Sequence, residues 1–184
     1  METAIHDWNE LAELLGPIHD DVQLFARRIA GSNAEGDDVF QEAVLRAARK
    51  LGTLRERARF RAWMCSVVVS VHRTRCRRAF WRRWLPGEAP EDAEPAGDDG
   101  ARWVDERASA RRAQAALATL SPPQREAIVL FELHGYTIEE IAEIQEASLS
   151  SVKTRLARGR DRLRRFYTNL HPAPTNPVEE VARG

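Results

Sequence analysis

Cysteine is almost missing from this 184-residue chain, which has only Cys65 and Cys76. Two thiols cannot build the disulfide framework that staples small secreted domains. Long apolar runs are missing too, since nothing approaches the roughly 20 residues a membrane-crossing helix needs. The first fifteen residues carry acidic side chains where a secretory signal would carry basic ones, so no membrane insertion and a cytoplasmic location are expected. Net charge is absent as well, with 28 basic residues against 28 acidic ones. That excludes a uniformly basic nucleic-acid binder but leaves room for charge segregated along the chain. No P-loop is present, and His6, His19, His72, His134 and His171 are scattered with no legible nucleophile beside them, so neither an enzyme nor a cofactor is expected. Cys65, His72 and Cys76 would share one helical face. At about 1.5 Å of rise per residue, however, the thiols would stand roughly 16 Å apart, too far to share one metal ion. They read as structural thiols, with a ligand or redox role as the alternative.

What is there is helical punctuation. Leu11, Leu14, Leu15, Ile18, Val22, Phe25 and Ile29 recur at spacings of three and four, interrupted by Gly16-Pro17, which predicts two short helices or one broken one. A second helix is expected to open at Gly36, with Asp37 and Asp38 in its first turn, and to end at Gly52. A third spans Phe60 to Trp84. Its Val67-Val68-Val69 run has strand character, but arginine-rich flanks without turn residues favour helix. Residues 85–106 change composition abruptly, mixing Pro and Gly with Glu88, Glu91, Asp92, Glu94, Asp98, Asp99 and Asp105, as a flexible acidic linker does. Further helices are expected over Ala108 to Leu120 and from Pro122-Pro123 to Leu133, closed by Gly135. The proline-bearing tail, 171–184, is expected to be disordered. The fold class is therefore all-α: a helical bundle over 1–84, the linker, and a second small helical domain over 107–170.

Two constellations carry binding chemistry. In Thr137-Ile138-Glu139-Glu140 the hydroxyl can accept from the third helical amide while Glu140 reaches back, a capping box that fixes a helix start. After the turn Gln145-Glu146-Ala147, Ser148 can cap a second helix with a buried stripe of Leu149, Val152, Leu156 and Leu163. A helix-turn-helix follows. Its outer face would present Ser150, Ser151, Lys153, Thr154, Arg155, Arg158 and Arg162, groups suited to base edges and phosphates in duplex DNA. The alternative for that face is a merely solvated basic surface. The second constellation sets Arg73, Arg75, Arg77, Arg78, Arg82 and Arg83 among Phe80, Trp81 and Trp84, joining charge for phosphates to rings on which unpaired bases stack. Those rings could instead anchor the helix to its own core.

These motifs resemble the bacterial extracytoplasmic-function sigma factors of the sigma-70 family, which retain the second and fourth conserved sigma regions. Asp38-Val39-Phe40-Gln41-Glu42 resembles the family's Asp-x-x-Gln-Glu signature, and the resemblance implies docking on the β′ clamp of core RNA polymerase. Phe60-Arg61-Ala62-Trp63-Met64 is similar to the Phe-x-x-Trp-Leu motif that precedes the promoter-melting segment. Leu120-Ser121-Pro122-Pro123-Gln124-Arg125-Glu126 resembles the start of the fourth region, and Val152-Lys153-Thr154-Arg155-Leu156 with Arg158-Gly159-Arg160 resembles the recognition-helix signature. The resemblance implies a −10 contact set of Ser70, Arg73, Thr74, Arg77, Arg78 and Trp81, and a −35 set made by the outer face from Ser150 to Arg162. It implies as partners core polymerase through its β′ clamp and β flap, promoter DNA, and an anti-sigma factor.

Departures limit what transfers. Ser70 and Thr74 stand where the family usually has Asn and Asp, and Ser150-Ser151 replaces Gly-Thr, so promoter preference does not carry over. Glu146 occupies a turn position where glycine is common, at a cost of order 1 kcal/mol for a left-handed residue. Two other readings use the same residues: a helix-turn-helix regulator that binds duplex DNA without polymerase, and a module that only sequesters a polymerase subunit.

Overall fold

In the computed structural model, residues 2–82 and 103–170 are described, and every regular element among them is helical. Helix α1 (Glu2–Leu15) leads through a 3-10 turn at Gly16–Ile18 into α2 (His19–Ala30), so Gly16-Pro17 breaks the helix where the spacing suggests. Gly31, at φ +108°, ends α2, and Ser32 caps α3 (Asn33–Lys50) by accepting from the Glu35 amide at 3.2 Å. The expected opening at Gly36 is thus corrected. Gly36 lies inside α3, because a Cβ there would come within 2.3 Å of the Arg27 backbone, and its absence lets α2 and α3 cross closely. Asp37 accepts from Arg27 Nε at 2.7 Å across this crossing. The guanidinium holds that carboxyl below its usual range.

Helix α4 (Phe60–Arg82) runs through the triple valine, and Val67, Val68 and Val69 are all buried. Burial on several sides explains why this stretch lacks alternation and still forms a helix. Phe25, Ile29, Val39, Met64 and Val68 fill the centre of the four-helix N-terminal half.

In the C-terminal half, α5 (Trp103–Ala118) precedes α6 (Pro122–Ile128), which continues as a π turn over Val129–Leu133 to Gly135 at φ +70°. The linker expected over 85–106 is corrected at its end, since 103–106 already belong to α5; 85–102 lie outside the described residues, as does the tail 171–184. The Thr137 capping box forms: Glu140 N donates to Thr137 Oγ1 at 3.2 Å and Thr137 N to Glu140 Oε2 at 2.8 Å. It starts α7 (Ile138–Ile144), and Ser148 caps α8 (Leu149–Leu170) by accepting from the Ser151 amide at 3.2 Å. Glu146 turns the chain between them at φ +48°. Val152 and Leu156 are buried as expected, but Leu149 is 45% exposed, at the first position of α8, where it borders an open surface hollow with Glu139, Ala142 and Glu143. Gly159 takes a place in the buried stripe instead, where a Cβ would meet Ile128 at 2.8 Å.

The two halves share one continuous hydrophobic cluster, fringed by two polar groups. In the first, Asp21 accepts from Arg61 at 3.0 Å and contacts His134 Nδ1 at 2.9 Å, while Arg61 lies over the Tyr136 ring at 4.6 Å. The second is built on Glu126 of α6, reached from α4 by His72 and Arg73.

Candidate nucleic-acid and polymerase interface

On α8 the buried pair Val152 and Leu156 fixes the rotation of the helix. Ser150, Lys153, Thr154, Arg158 and Arg162 are left exposed, and Ser151 and Arg155 are half-buried. Thr154 spends its hydroxyl on the Ser150 carbonyl at 2.9 Å, and Ser148 lies 3.1 and 2.8 Å from the Ser150 and Ser151 hydroxyls. Arg155 Nη1 donates to Gln145 Oε1 at 2.8 Å. Burial, with Arg73 nearby, lowers the pKa of its guanidinium. The helix thus offers a free cationic strip at Arg158 and Arg162, and one arginine tied into the seam between the halves.

The α4 set divides in the same way. Arg77 and Arg78 are exposed, and Trp81 is 66% exposed, edge-on to Phe80 with centroids 6.0 Å apart. Exposure of Trp81 favours a stacking surface over a core anchor. Arg83 and Trp84 lie outside the described residues. Ser70 accepts from Arg46 at 3.3 Å, and Thr74 donates to the Ser70 carbonyl at 2.8 Å. Arg73 faces the other way, with Nη2 2.7 Å and Nε 3.1 Å from Glu126 Oε2, and Nη1 donating to the Gln145 carbonyl at 3.0 Å.

On α3, Val39 and Phe40 are buried in the core, while Asp38 and Gln41 are exposed and Glu42 is half-buried. The five-residue motif therefore presents only its polar members to a partner. Asp38 and Glu42 are held by Arg75 at 3.0 and 3.6 Å, and Glu42 also by Arg46 at 3.0 Å.

Glu126 and Gln145 are the residues that sequence reading left without a role. Glu126 is 0% exposed and accepts from Arg73 and from Gln145 Nε2 at 3.0 Å, with His72 Nδ1 3.0 Å from its other oxygen. A carboxylate at zero exposure needs such partners, since an unpaired buried charge costs several kcal/mol. The available signal was an acidic residue opening the apolar run Ala127-Ile128-Val129-Leu130. His72 corrects a second reading, that no histidine has a nucleophile beside it: Cys76 Sγ lies 3.3 Å from its Nε2, one helical turn away. Burial opposes charge on this imidazole, but Cys76 and Glu126 outweigh it and raise its pKa to about 9.

Residues 16–82 match the family description "Sigma-70 region 2" and residues 110–163 match "Sigma-70, region 4". The ECF RNA polymerase sigma factor SigM of Mycobacterium tuberculosis is 33% identical over 153 residues, 83% of this chain and 74% of that protein. SigE of Mycolicibacterium smegmatis is 31% identical, covering 95% of this chain and 66% of its own length. Among solved structures, the sigma factor RpoE of Bartonella quintana, crystallised with the anti-sigma factor NepR, superposes with a TM-score of 0.62 at 23% identity, over 86% of this chain and 97% of that one. CnrH, solved with the cytosolic domain of CnrY, gives 0.63 at 20% identity, over 91% and 96%. The order of the two sigma regions, the helix-turn-helix between α7 and α8, and the relationship to SigM place this chain in the extracytoplasmic-function sigma factors of the sigma-70 family.

Proposed function

We propose that the chain serves as a promoter-recognition subunit of RNA polymerase, with α3 docking on the β′ clamp, α4 opening the −10 element and α8 reading the −35 element. It directs promoter-specific initiation, as the extracytoplasmic-function sigma factors do. The observation that carries the division of labour is the presence in one chain of a polar docking motif, with Asp38 and Gln41 exposed and Glu42 half-buried, and an exposed cationic strip, Arg158 and Arg162, on a capped second helix. Phosphate contacts from that strip fix register on the duplex, and base edges are left to Ser151, Thr154 and, once it leaves Gln145, Arg155 near the start of the helix. Arg77, Arg78 and Trp81 supply charge and a ring to the separated strand.

The domain boundaries follow the same division, with region 2 ending near residue 84 and region 4 beginning near residue 107. We read the chain as a binding subunit without a catalytic step of its own, working in the cytoplasm beside polymerase; among the described residues no helix is long and apolar enough to cross a membrane. The β flap is the second polymerase contact, through region 4. RpoE was solved with the anti-sigma factor NepR and CnrH with the cytosolic domain of CnrY, which supports an anti-sigma factor for this chain as well.

Run-off transcription with purified core polymerase tests the proposal. Specific transcripts that require both core and this chain are the expected outcome. Tight duplex binding without core, and no transcripts with it, would establish the free helix-turn-helix regulator instead.

A further inference from the structure

We propose that Cys76 is a peroxide-reactive thiol, activated by the Cys76–His72–Glu126 relay, and that its oxidation loosens the seam between the N- and C-terminal halves. Cys76 Sγ lies 3.3 Å from His72 Nε2, and His72 Nδ1 lies 3.0 Å from Glu126 Oε1. The order is nucleophile, imidazole, carboxylate, the arrangement by which a thiol is converted to a thiolate. The protection of the relay is graded: Glu126 is 0% and His72 4% exposed, while Cys76 is half-buried at the rim, where a small oxidant can reach it. Cys65 has the opposite surroundings. It is buried against the Tyr136 hydroxyl at 3.5 Å, and burial pushes its thiol up to about 11.

In the step itself, the Cys76 thiolate attacks one oxygen of a hydroperoxide. An S–O bond forms as the O–O bond breaks, sulfur loses two electrons and the peroxide gains them. The departing alkoxide or hydroxide takes the proton from His72 Nε2 and leaves as alcohol or water. The products are a sulfenic acid at Cys76 and a neutral His72. That loss of charge is felt at Glu126, which faces His72 on one oxygen and Arg73 and Gln145 on the other. Gln145 in turn holds Arg155 of α8 at 2.8 Å. One hydrogen-bonded chain thus runs from Cys76 on α4, through α6, to the helix that carries the cationic strip.

The test uses the full chain. Iodoacetamide alkylation at pH 7, followed by peptide mass spectrometry, is expected to label Cys76 about tenfold faster than free N-acetylcysteine under the same conditions. His72→Gln slows that alkylation about tenfold. Should that variant fail to fold, the wild-type rate decides by itself. With hydrogen peroxide and a dimedone trap, the adduct falls on Cys76 and not on Cys65. After peroxide, amides of α6 and α7 exchange faster with deuterium than in C76S treated identically. A rate at or below that of free N-acetylcysteine, a His72→Gln rate equal to the wild type, or an adduct on Cys65 would overturn the reactive thiol. Equal exchange in oxidised wild type and C76S would overturn its link to the seam.

Discussion

Gly36, inside the N-terminal half, and His72, at the seam between the halves, show how single positions hold the fold in place. Alanine at Gly36 would drive a Cβ to 2.3 Å from Arg27 Cα, against backbone that cannot rotate away. Gly36→Ala should therefore cost about 3 kcal/mol, the upper end of overpacking, measured by urea unfolding of both proteins. His72 predicts a pH dependence. Its pKa is raised from 6.5 to about 9, so the stability it confers is complete below about 6.5 and is lost as pH climbs through about 9. His134 acts in the other direction: burial lowers its pKa despite Asp21, so its contribution is present above the usual value and falls away as pH drops. Thermal melts from pH 6 to 10 should show wild type losing stability toward pH 9, by on the order of 2 kcal/mol, the worth of a buried charged hydrogen bond. His72→Gln should show a flatter profile over the same range.

Among the elements, α8 and α4 each carry two kinds of side chain, and substitution should separate them. Arg155→Ala is expected to change base preference by about 1–3 kcal/mol at one or two −35 positions, read from binding of the polymerase holoenzyme to a library of −35 sequences. Arg158→Ala should weaken all sequences alike and reduce the salt slope by about one counterion. An Arg155→Ala profile identical in shape to wild type would remove base reading from this face. On α4, the Arg77→Ala, Arg78→Ala double variant should impair promoter opening more than closed-complex formation. Permanganate footprinting at matched occupancy checks this, and unchanged opening would remove these arginines from the melting step.

For the whole molecule, the seam sets what each half can do in the free chain. Arg73 cannot hold Glu126 at 2.7 Å and a promoter phosphate at once, so the −10 set is divided between exposed and engaged members. Docking on core, as proposed, would use α3, whose Glu42 pairs with Arg46 and Arg75 and not with Glu126. Glu42→Arg reverses a charge now balanced by Arg46 and Arg75 without entering the core. It should weaken assembly with core polymerase at least tenfold in native gel titration while leaving the melting temperature nearly unchanged. Equal affinity would exclude α3 as the docking helix.

Helix identity and the helix-turn-helix were legible because they rest on short-range chemistry. The Thr137 capping box, the Ser148 cap, the Gly135 stop and the Val152–Leu156 stripe each involve residues within about one turn of one another, and local spacing specifies them. The all-α class and the family signatures follow from the same local patterns. The Ser32 cap of α3 is equally local, but Gly36 reads as a boundary because the reason for a glycine there lies on another helix, at Arg27. His72 was read as unpartnered although Cys76 is only one turn away, because the pairing acquires meaning from Glu126, 54 positions further on. Glu126 itself could be assigned only once α4, α6 and the turn after α7 had met around it. A buried charge is defined by what surrounds it, and those surroundings are set by long-range packing that no local periodicity records.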